Sequence, residues 1–356
     1  MAEYDVVALG ELLIDFTESG WSPQGNPLLE ANPGGAPCNV LAMLSGLGKR
    51  TAFIGKIGKD AFGRQLREAV QSCGIDVSGL AEDEAVPTTL AFVHTQPDGD
   101  REFSFYRDPG ADRMLRREEV SEELIKRAKI FHFGTLSSTH EPAREATRYA
   151  LEVARESGCV LSFDPNLREP LWDSPEDARR EIGYGLGLCD ILKISDNEVE
   201  FLTGTTDYEK GVARLREKYR LPLVFVTLGK AGSMAFYGDL TVKSDPFLQE
   251  CTVETTGAGD TFAACALNYL LEHGLGRPAK GISGLNAGAE NAQTCKPGRE
   301  KTEVGNVGEL TLTEANLREL LTFANAGASL ITTRKGALKV MPTRAEIEAL
   351  IRRGRV

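Results

Sequence analysis

The stretch Glu254-Thr255-Thr256-Gly257-Ala258-Gly259-Asp260-Thr261-Phe262 leads into a run of small and apolar residues, Ala263, Ala264, Ala266, Leu267, Leu270 and Leu271. The run has the composition of a buried helix, and two glycines stand at its start. The first N–H groups of a helix have no partner within it, and glycine lets an anion approach them closely. The segment therefore has the chemistry of a phosphate cradle. Asp260, at the same helix start, has the chemistry to accept a proton from an attacking hydroxyl. The bland alternative makes Asp260 a helix cap and the glycines a plain turn, and this motif alone does not separate the two. A helix N-terminus stabilises a carboxylate and weakens it as a base. A loose phosphoryl-transfer transition state relaxes that demand, because positioning then matters more than basicity.

The rest of the chain supplies a frame for such a cradle. A strand at Val6-Val7-Ala8-Leu9 is followed by a helix over about 37–47, a strand at Ala52-Phe53-Ile54 and a helix over about 60–72. From residue 130 onward, strands near 130–133, 159–163, 190–194 and 223–227 alternate with helices near 141–157, 176–186 and 207–218. Alternation of this kind predicts a mainly parallel α/β sheet covered on both faces, with ligands at the carboxyl ends of its strands. Residues 88–107 break the pattern: two β-rich runs flank the turn Gln96-Pro97-Asp98-Gly99-Asp100, which predicts a hairpin.

Composition narrows the function. The 356 residues are 41% apolar, with 41 Lys and Arg against 52 Asp and Glu, a formal net charge of −11. That balance argues against a broad nucleic-acid surface, though not against one local anion site. No stretch approaches the length of a membrane span. An acidic start and seven widely spaced cysteines without a Cys-x-x-Cys predict a cytoplasmic protein with reduced thiols. Neither a Walker sequence nor a Gly-x-Gly-x-x-Gly after the first strand is present.

A second glycine element lies near the N-terminus: Asn32-Pro33-Gly34-Gly35-Ala36-Pro37-Cys38-Asn39. Taken alone it is a helix-entry turn. With Gly257-Ala258-Gly259-Asp260 it resembles the paired signatures of the ribokinase-like PfkB carbohydrate kinases. Four further segments fit in order: Phe105-Tyr106-Arg107-Asp108-Pro109-Gly110-Ala111-Asp112, Asp164-Pro165-Asn166-Leu167-Arg168, Val226-Thr227-Leu228-Gly229-Lys230-Ala231-Gly232 and Phe323-Ala324-Asn325-Ala326. The resemblance covers about residues 4 to 345 and is strongest to the bacterial fructokinase branch.

The resemblance implies a single ribokinase-like domain over 1–356. Its fold is a parallel α/β/α sandwich with a small β lid from segments near 12–31 and 88–107. It implies transfer of the ATP γ-phosphate to a sugar hydroxyl, most directly O6 of D-fructose. 2-Keto-3-deoxygluconate kinase is the alternative, with Arg107 then facing the substrate carboxylate. Asp260 would take the proton, beside an anion hole at Gly257, Ala258, Gly259 and Asp260. Asp15, Gly34, Gly35 and Asn39 would hold the sugar, and Arg107 would close over it from the lid. Asn166 and Arg168 would face the phosphates, arginine's fork matching their oxygens. Ser195, Thr227, Gly229, Gly232 and Asn325 would line the nucleotide, Asn325 near the adenine. Each has a bland reading as surface charge or satisfied buried amide, and the resemblance favours the functional one.

Glu198 would orient water on Mg²⁺, which keeps several waters when bound; K⁺ dependence stays open. Exposed lid strands invite pairing with a second copy, hence a homodimer. The family's Asn-x-x-Glu appears here with Ser195 in place of the Asn. Residues 276–312, with seven glycines, two prolines and no aromatic residue, stand where relatives have a short connector. They predict a surface insertion that the chemistry does not need, the rival reading being a gate through Lys296, Arg299 and Lys301.

Overall fold

Strand β1 (Tyr4–Leu9) shows why the sheet must be covered twice. Its residues alternate between two separate cores: Val6 and Ala8 belong to one, Val7 and Leu9 to the other, all four fully buried. A strand apolar on both faces is stable only between two layers. The computed structural model describes residues 2–95, 101–275 and 311–354. The turn at 96–100 and most of the glycine-rich stretch lie outside them.

After β1 come β2 (Leu13–Trp21), β3 (Pro27–Gly34), α1 (Ala36–Gly46), β4 (Thr51–Gly58), α2 (Ala61–Ser72) and β5 (Asp76–Asp83). Then follow β6 (Leu90–Thr95), β7 (Arg101–Tyr106), α3 (Glu122–Lys126), β8 (Ala128–Phe133), α4 (Ala143–Glu156), β9 (Val160–Phe163) and α5 (Pro175–Leu186). The remainder holds β10 (Ile191–Ser195), α6 (Asp196–Thr203), α7 (Tyr208–Lys218), β11 (Leu223–Thr227), β12 (Ser233–Tyr237) and β13 (Leu240–Ser244). Three helices complete it: α8 (Ala258–Glu272), α9 (Glu314–Ile331) and α10 (Arg344–Arg353).

The main sheet has nine strands in the order β13-β12-β11-β10-β9-β8-β1-β4-β5. Seven run parallel; β12 and β13 form an antiparallel hairpin on the β11 edge. Helices α1, α2, α8, α9 and α10 pack their apolar sides into the core that holds Val6. Helices α3 to α7 pack into the core that holds Val7. The expected alternation of strand and helix is present, with boundaries within about two residues for the segments after residue 130.

The second sheet, in the order β3-β2-β6-β7, is the expected lid. Its first arm is longer than 12–31, because the β2–β3 hairpin pairs Leu13 with Gly34 and so runs into the glycine element itself. Phe16 stacks on Phe92 and meets Phe62 of α2 edge-on, which ties the lid to the main body.

Phe131, at the centre of β8, is wholly buried. Phe131→Ala is expected to lower the unfolding free energy by about 3–5 kcal/mol, measured by urea denaturation.

Candidate active site

Most helices with a capped start carry a Ser, Thr or Asp whose oxygen accepts from the third residue on; Ser195, Thr313 and Thr343 do so for α6, α9 and α10. Two helices begin on glycine with no cap of this kind, α1 at Gly35 and α8 at Gly257. Both open onto one cavity of about 1040 Å³ at the carboxyl ends of the strands. Gly35 has φ 137° and Gly257 φ 78°, conformations that side chains rarely adopt. A Cβ on Gly35 would collide with the Glu11 carbonyl, and one on Gly257 would stand 2.9 Å from the Ala337 methyl.

The two helix starts receive different partners. At α1 the buried carboxylate of Glu11 accepts from the Ala36 amide at 2.8 Å. At α8 the amides of Gly259 and Asp260 meet no acceptor among the described residues, so that terminus remains open to an anion. Asp260 is buried there and accepts a 2.8 Å hydrogen bond from Nδ2 of Asn39, on α1. The Oδ1 atom of Asn39 is buried without a partner. Burial pushes the Asp260 carboxyl up to about 6, and the Asp164 charge adds to this. Asn39, Lys193 and Arg168 act in the opposite direction.

Asp15, on β2 of the lid, faces the same cavity. A Cβ on Gly34 would collide with its carboxylate, which explains the first glycine of the pair. Burial raises Asp15 to about 7; Arg168 opposes the rise, while Glu254 and Asp260 add to it. Glu11, also raised to about 7 by burial, lies at the cavity although sequence reading passed over it. The signal was there: an acid directly after the strand that ends at Leu9.

The residues expected to face the nucleotide also line the cavity. Asn166 has φ 51°, the only non-glycine residue with positive φ among those described, and lines the cavity with the exposed Arg168. Thr227, Gly229 and Gly232 follow β11, and both glycines have positive φ. Ser195 caps α6 in a reciprocal box with Glu198. Glu198 accepts from the Ser195 amide and hydroxyl through Oε2, and from the Leu167 amide at 2.7 Å through Oε1. It therefore ties the turn after β9 to β10, and it borders the cavity while doing so.

One expectation needs correction. Arg107 is not in the cavity. It is 4% exposed and its guanidinium is committed on every side. Nε and Nη2 grip Asp112 at 2.8 and 2.6 Å, Nη2 also donates to the Leu136 carbonyl, and Nη1 donates to Thr139. The physical reason is the carboxylate five residues on: a buried charge takes its nearest partner. Asn325 borders the cavity, but its amide is likewise committed, to Ser233 and to the carbonyls of Ser244 and Asp245. It fastens α9 to the β12–β13 hairpin.

Lys193, on β10, was not singled out from the sequence and stands inside the site. Its ammonium is 3.0 Å from Asp164, and a Cβ on Gly259 would come within 2.8 Å of it.

A model of the pfkB family carbohydrate kinases matches residues 4–344. The chain belongs to that family. It is 40% identical over 348 residues to fructokinase-1 of Zea mays, covering 97% of both chains. It superposes on a fructokinase from Xylella fastidiosa with bound ATP at a TM-score of 0.82 and 26% identity, over 98% of each chain. A fructokinase from Vibrio cholerae O395 holding fructose, ADP and calcium gives a TM-score of 0.78 at 28% identity, over 98% of this chain and 99% of that one. In identity this carbohydrate kinase stands nearer the plant enzyme than these two bacterial ones, so the expected bacterial branch gives way to a plant-like affinity.

Two outcomes follow for this kinase. Arg107→Ala leaves Asp112 buried and unpaired, and is expected to cost about 3–5 kcal/mol of stability in urea unfolding. A proton acceptor at Asp260 would have to be ionised, so kcat/KM for the sugar should fall as pH drops through about 6. A pH–rate profile between 4.5 and 9 measures the midpoint.

Proposed function

We propose that this carbohydrate kinase transfers the γ-phosphate of ATP to O6 of D-fructose. The observation that carries the reading is Asp260: a buried carboxylate raised to about 6, hydrogen-bonded to Asn39 and set beside the open amides of α8. The 40% identity to a plant fructokinase over nearly the whole chain supports the choice of sugar.

The fructose hydroxyl lies between Asp260 and the γ-phosphorus. As the new O–P bond forms and the bond to the β–γ bridging oxygen breaks, the hydroxyl proton passes to Asp260 and ADP leaves. Asp15 and Asn39 orient the sugar. The amides at Gly257 to Asp260, with Arg168, receive the phosphates, and Thr227, Gly229 and Gly232 border the nucleotide. The lid sheet excludes water, which would otherwise compete as acceptor.

Among the described residues no cluster of three or more groups could hold a metal ion directly. The carboxylate of Glu198 is a hard oxygen donor that borders the cavity, and Asp164, buried and ion-paired with Lys193 at 3.0 Å, is a second one close to Asp260. They would suit Mg²⁺ held mainly by ATP phosphates and water, and the bound ion would supply neutralisation of the phosphate charge. The keto-acid kinase alternative placed a substrate carboxylate on Arg107, a guanidinium already committed to Asp112.

The reading includes a homodimer, supported by the exposed Trp21, Leu28, Leu29 and Tyr106 on the lid sheet. It also includes a cytoplasmic setting, in keeping with six described cysteines that are all free thiols. Among the described residues no helix is long and apolar enough to cross a membrane.

Asp260→Asn is expected to fold, bind both substrates and lose about 10²–10⁴-fold in kcat. A panel of hexoses and 2-keto-3-deoxygluconate, with the product position read by NMR, tests the substrate. A strong preference for the keto acid over fructose would overturn the choice of sugar.

A further inference from the structure

Helix α1 is capped from a distance. Helices α2, α5 and α7 take their caps from the residue that precedes them, Asp60, Ser174 and Asp207. At α1 that position is Gly35, where φ is 137° and a Cβ would stand 2.4 Å from the Glu11 carbonyl oxygen. No side chain fits there. The cap comes instead from Glu11, 25 residues earlier, whose Oε1 accepts from the Ala36 amide at 2.8 Å. Glu11 therefore meets α1 twice, with its backbone against Gly35 and its carboxylate on Ala36.

Two side chains of the site hang from this joint. Asn39 lies on the first turn of α1, where its backbone amide donates to the Gly35 carbonyl at 2.9 Å and its Nδ2 donates to Asp260 at 2.8 Å. Asp15 follows Glu11 by four residues on β2 and faces the same cavity. The intervening Leu12, Leu13 and Ile14 are buried, and Leu13 pairs with Gly34 on β3, so the circuit from Glu11 through both strands to Ala36 is closed without slack. Glu11 is 3% exposed, and burying a carboxyl is costly. A cap serving the helix alone would not need that burial; what the distant one adds is a fixed separation between the end of β1 and the start of α1. Burial raises the Glu11 carboxyl to about 7, while Arg107 favours its ionised form and Asp112 opposes it. Protonated or not, it keeps an oxygen that can accept from Ala36, so the joint does not depend on charge.

We propose that Glu11 is a positioning residue: by joining the end of β1 to the start of α1 it sets the separation of Asp15 from Asn39, and with it the place of a polyhydroxyl acceptor against Asp260. The proposal rests on the sugar-kinase reading. Glu11 moves no proton and acts through the two residues it spaces. A misplacement of about 1 Å at a reacting pair can cost about 10²-fold in rate.

The test uses the full-length protein as wild type, E11D and E11Q, with E11D also made in an Asn39→Ala background. E11D keeps the charge and shortens the reach by one carbon. E11Q keeps the reach and an acceptor oxygen but removes the charge. E11D is expected to lower kcat/KM for fructose at least about tenfold, with KM for ATP within about twofold, whereas E11Q stays within about threefold of wild type. In the Asn39→Ala background E11D should cost less than about threefold more, because both changes act through one contact. The reverse order, with E11Q impaired and E11D active, would overturn the proposal in favour of a charge effect. Losses that multiply fully in the Asn39→Ala background, or a matching rise in KM for ATP, would overturn it in favour of general loosening. Should E11D fold poorly, E11M takes its place: it keeps the length without the oxygen, a tenfold fall in kcat/KM supports the proposal, and wild-type kinetics reject it. If the wild type phosphorylates no sugar, the kinase reading fails separately. The nitrogen-15 resonance of the Asn39 side-chain amide, assigned by its loss in Asn39→Ala, then decides: displacement in E11D or E11M but not in E11Q supports the joint, and an unmoved resonance in all three rejects it.

Discussion

A carboxylate withdrawn from water at the uncapped start of α8 is the constraint around which this molecule is arranged. Asp260 is buried, and its charge is opposed by Asp164 and favoured by Asn39, Lys193 and Arg168. Those partners come from α1, from β10 and from the turn after β9, so the environment of one side chain depends on the relative placement of three separate elements. The helix terminus contributes open amides at the same point. On the proposed reading, an anion and a base are thereby served by one turn of helix.

The fold supplies that placement cheaply. Parallel strands buried on both faces end on one edge, and the residues just past β1, β9, β10 and β11 meet there without long loops. Contact restricts the cavity's glycines as well as conformation does. At Gly34 any side chain would meet the Asp15 carboxylate, and at Gly35 it would meet the Glu11 backbone carbonyl. The lid sheet carries Asp15 into the cavity and is fastened to the main body through Phe16 and Phe62. Arg107, at the end of the lid, has a fastening role: its grip on Asp112, Leu136 and Thr139 ties the lid's exit to the β8 side of the sheet.

Much of this was legible from the sequence. Alternating apolar runs marked the parallel strands of the second half, and the two glycine elements marked the helix starts at the cavity. The β5 edge strand, the β12–β13 hairpin and α10 were not foreseen, since short strands with polar outer faces carry little periodic signal. Arg107 and Asn325 were assigned outward roles because sequence does not show which donors are already committed inside. Their partners, Asp112 on one side and Ser233 on the other, become evident only when the chain is folded. Lys193 carried a readable clue, a lone cation within the buried run Ile191-Leu192-Lys193-Ile194, but its counter-charge lies on a different strand.

The most direct measurement of the central claim is the protonation of Asp260 itself. Carbon-13 NMR of protein labelled at the aspartate side-chain carboxyl, compared with Asp260→Asn to assign the missing resonance, follows that group through a pH titration. A midpoint at about 6 is the predicted result, the signature of a buried base held ready by its surroundings. A midpoint near 4, the ordinary value for a solvated aspartate, would contradict it.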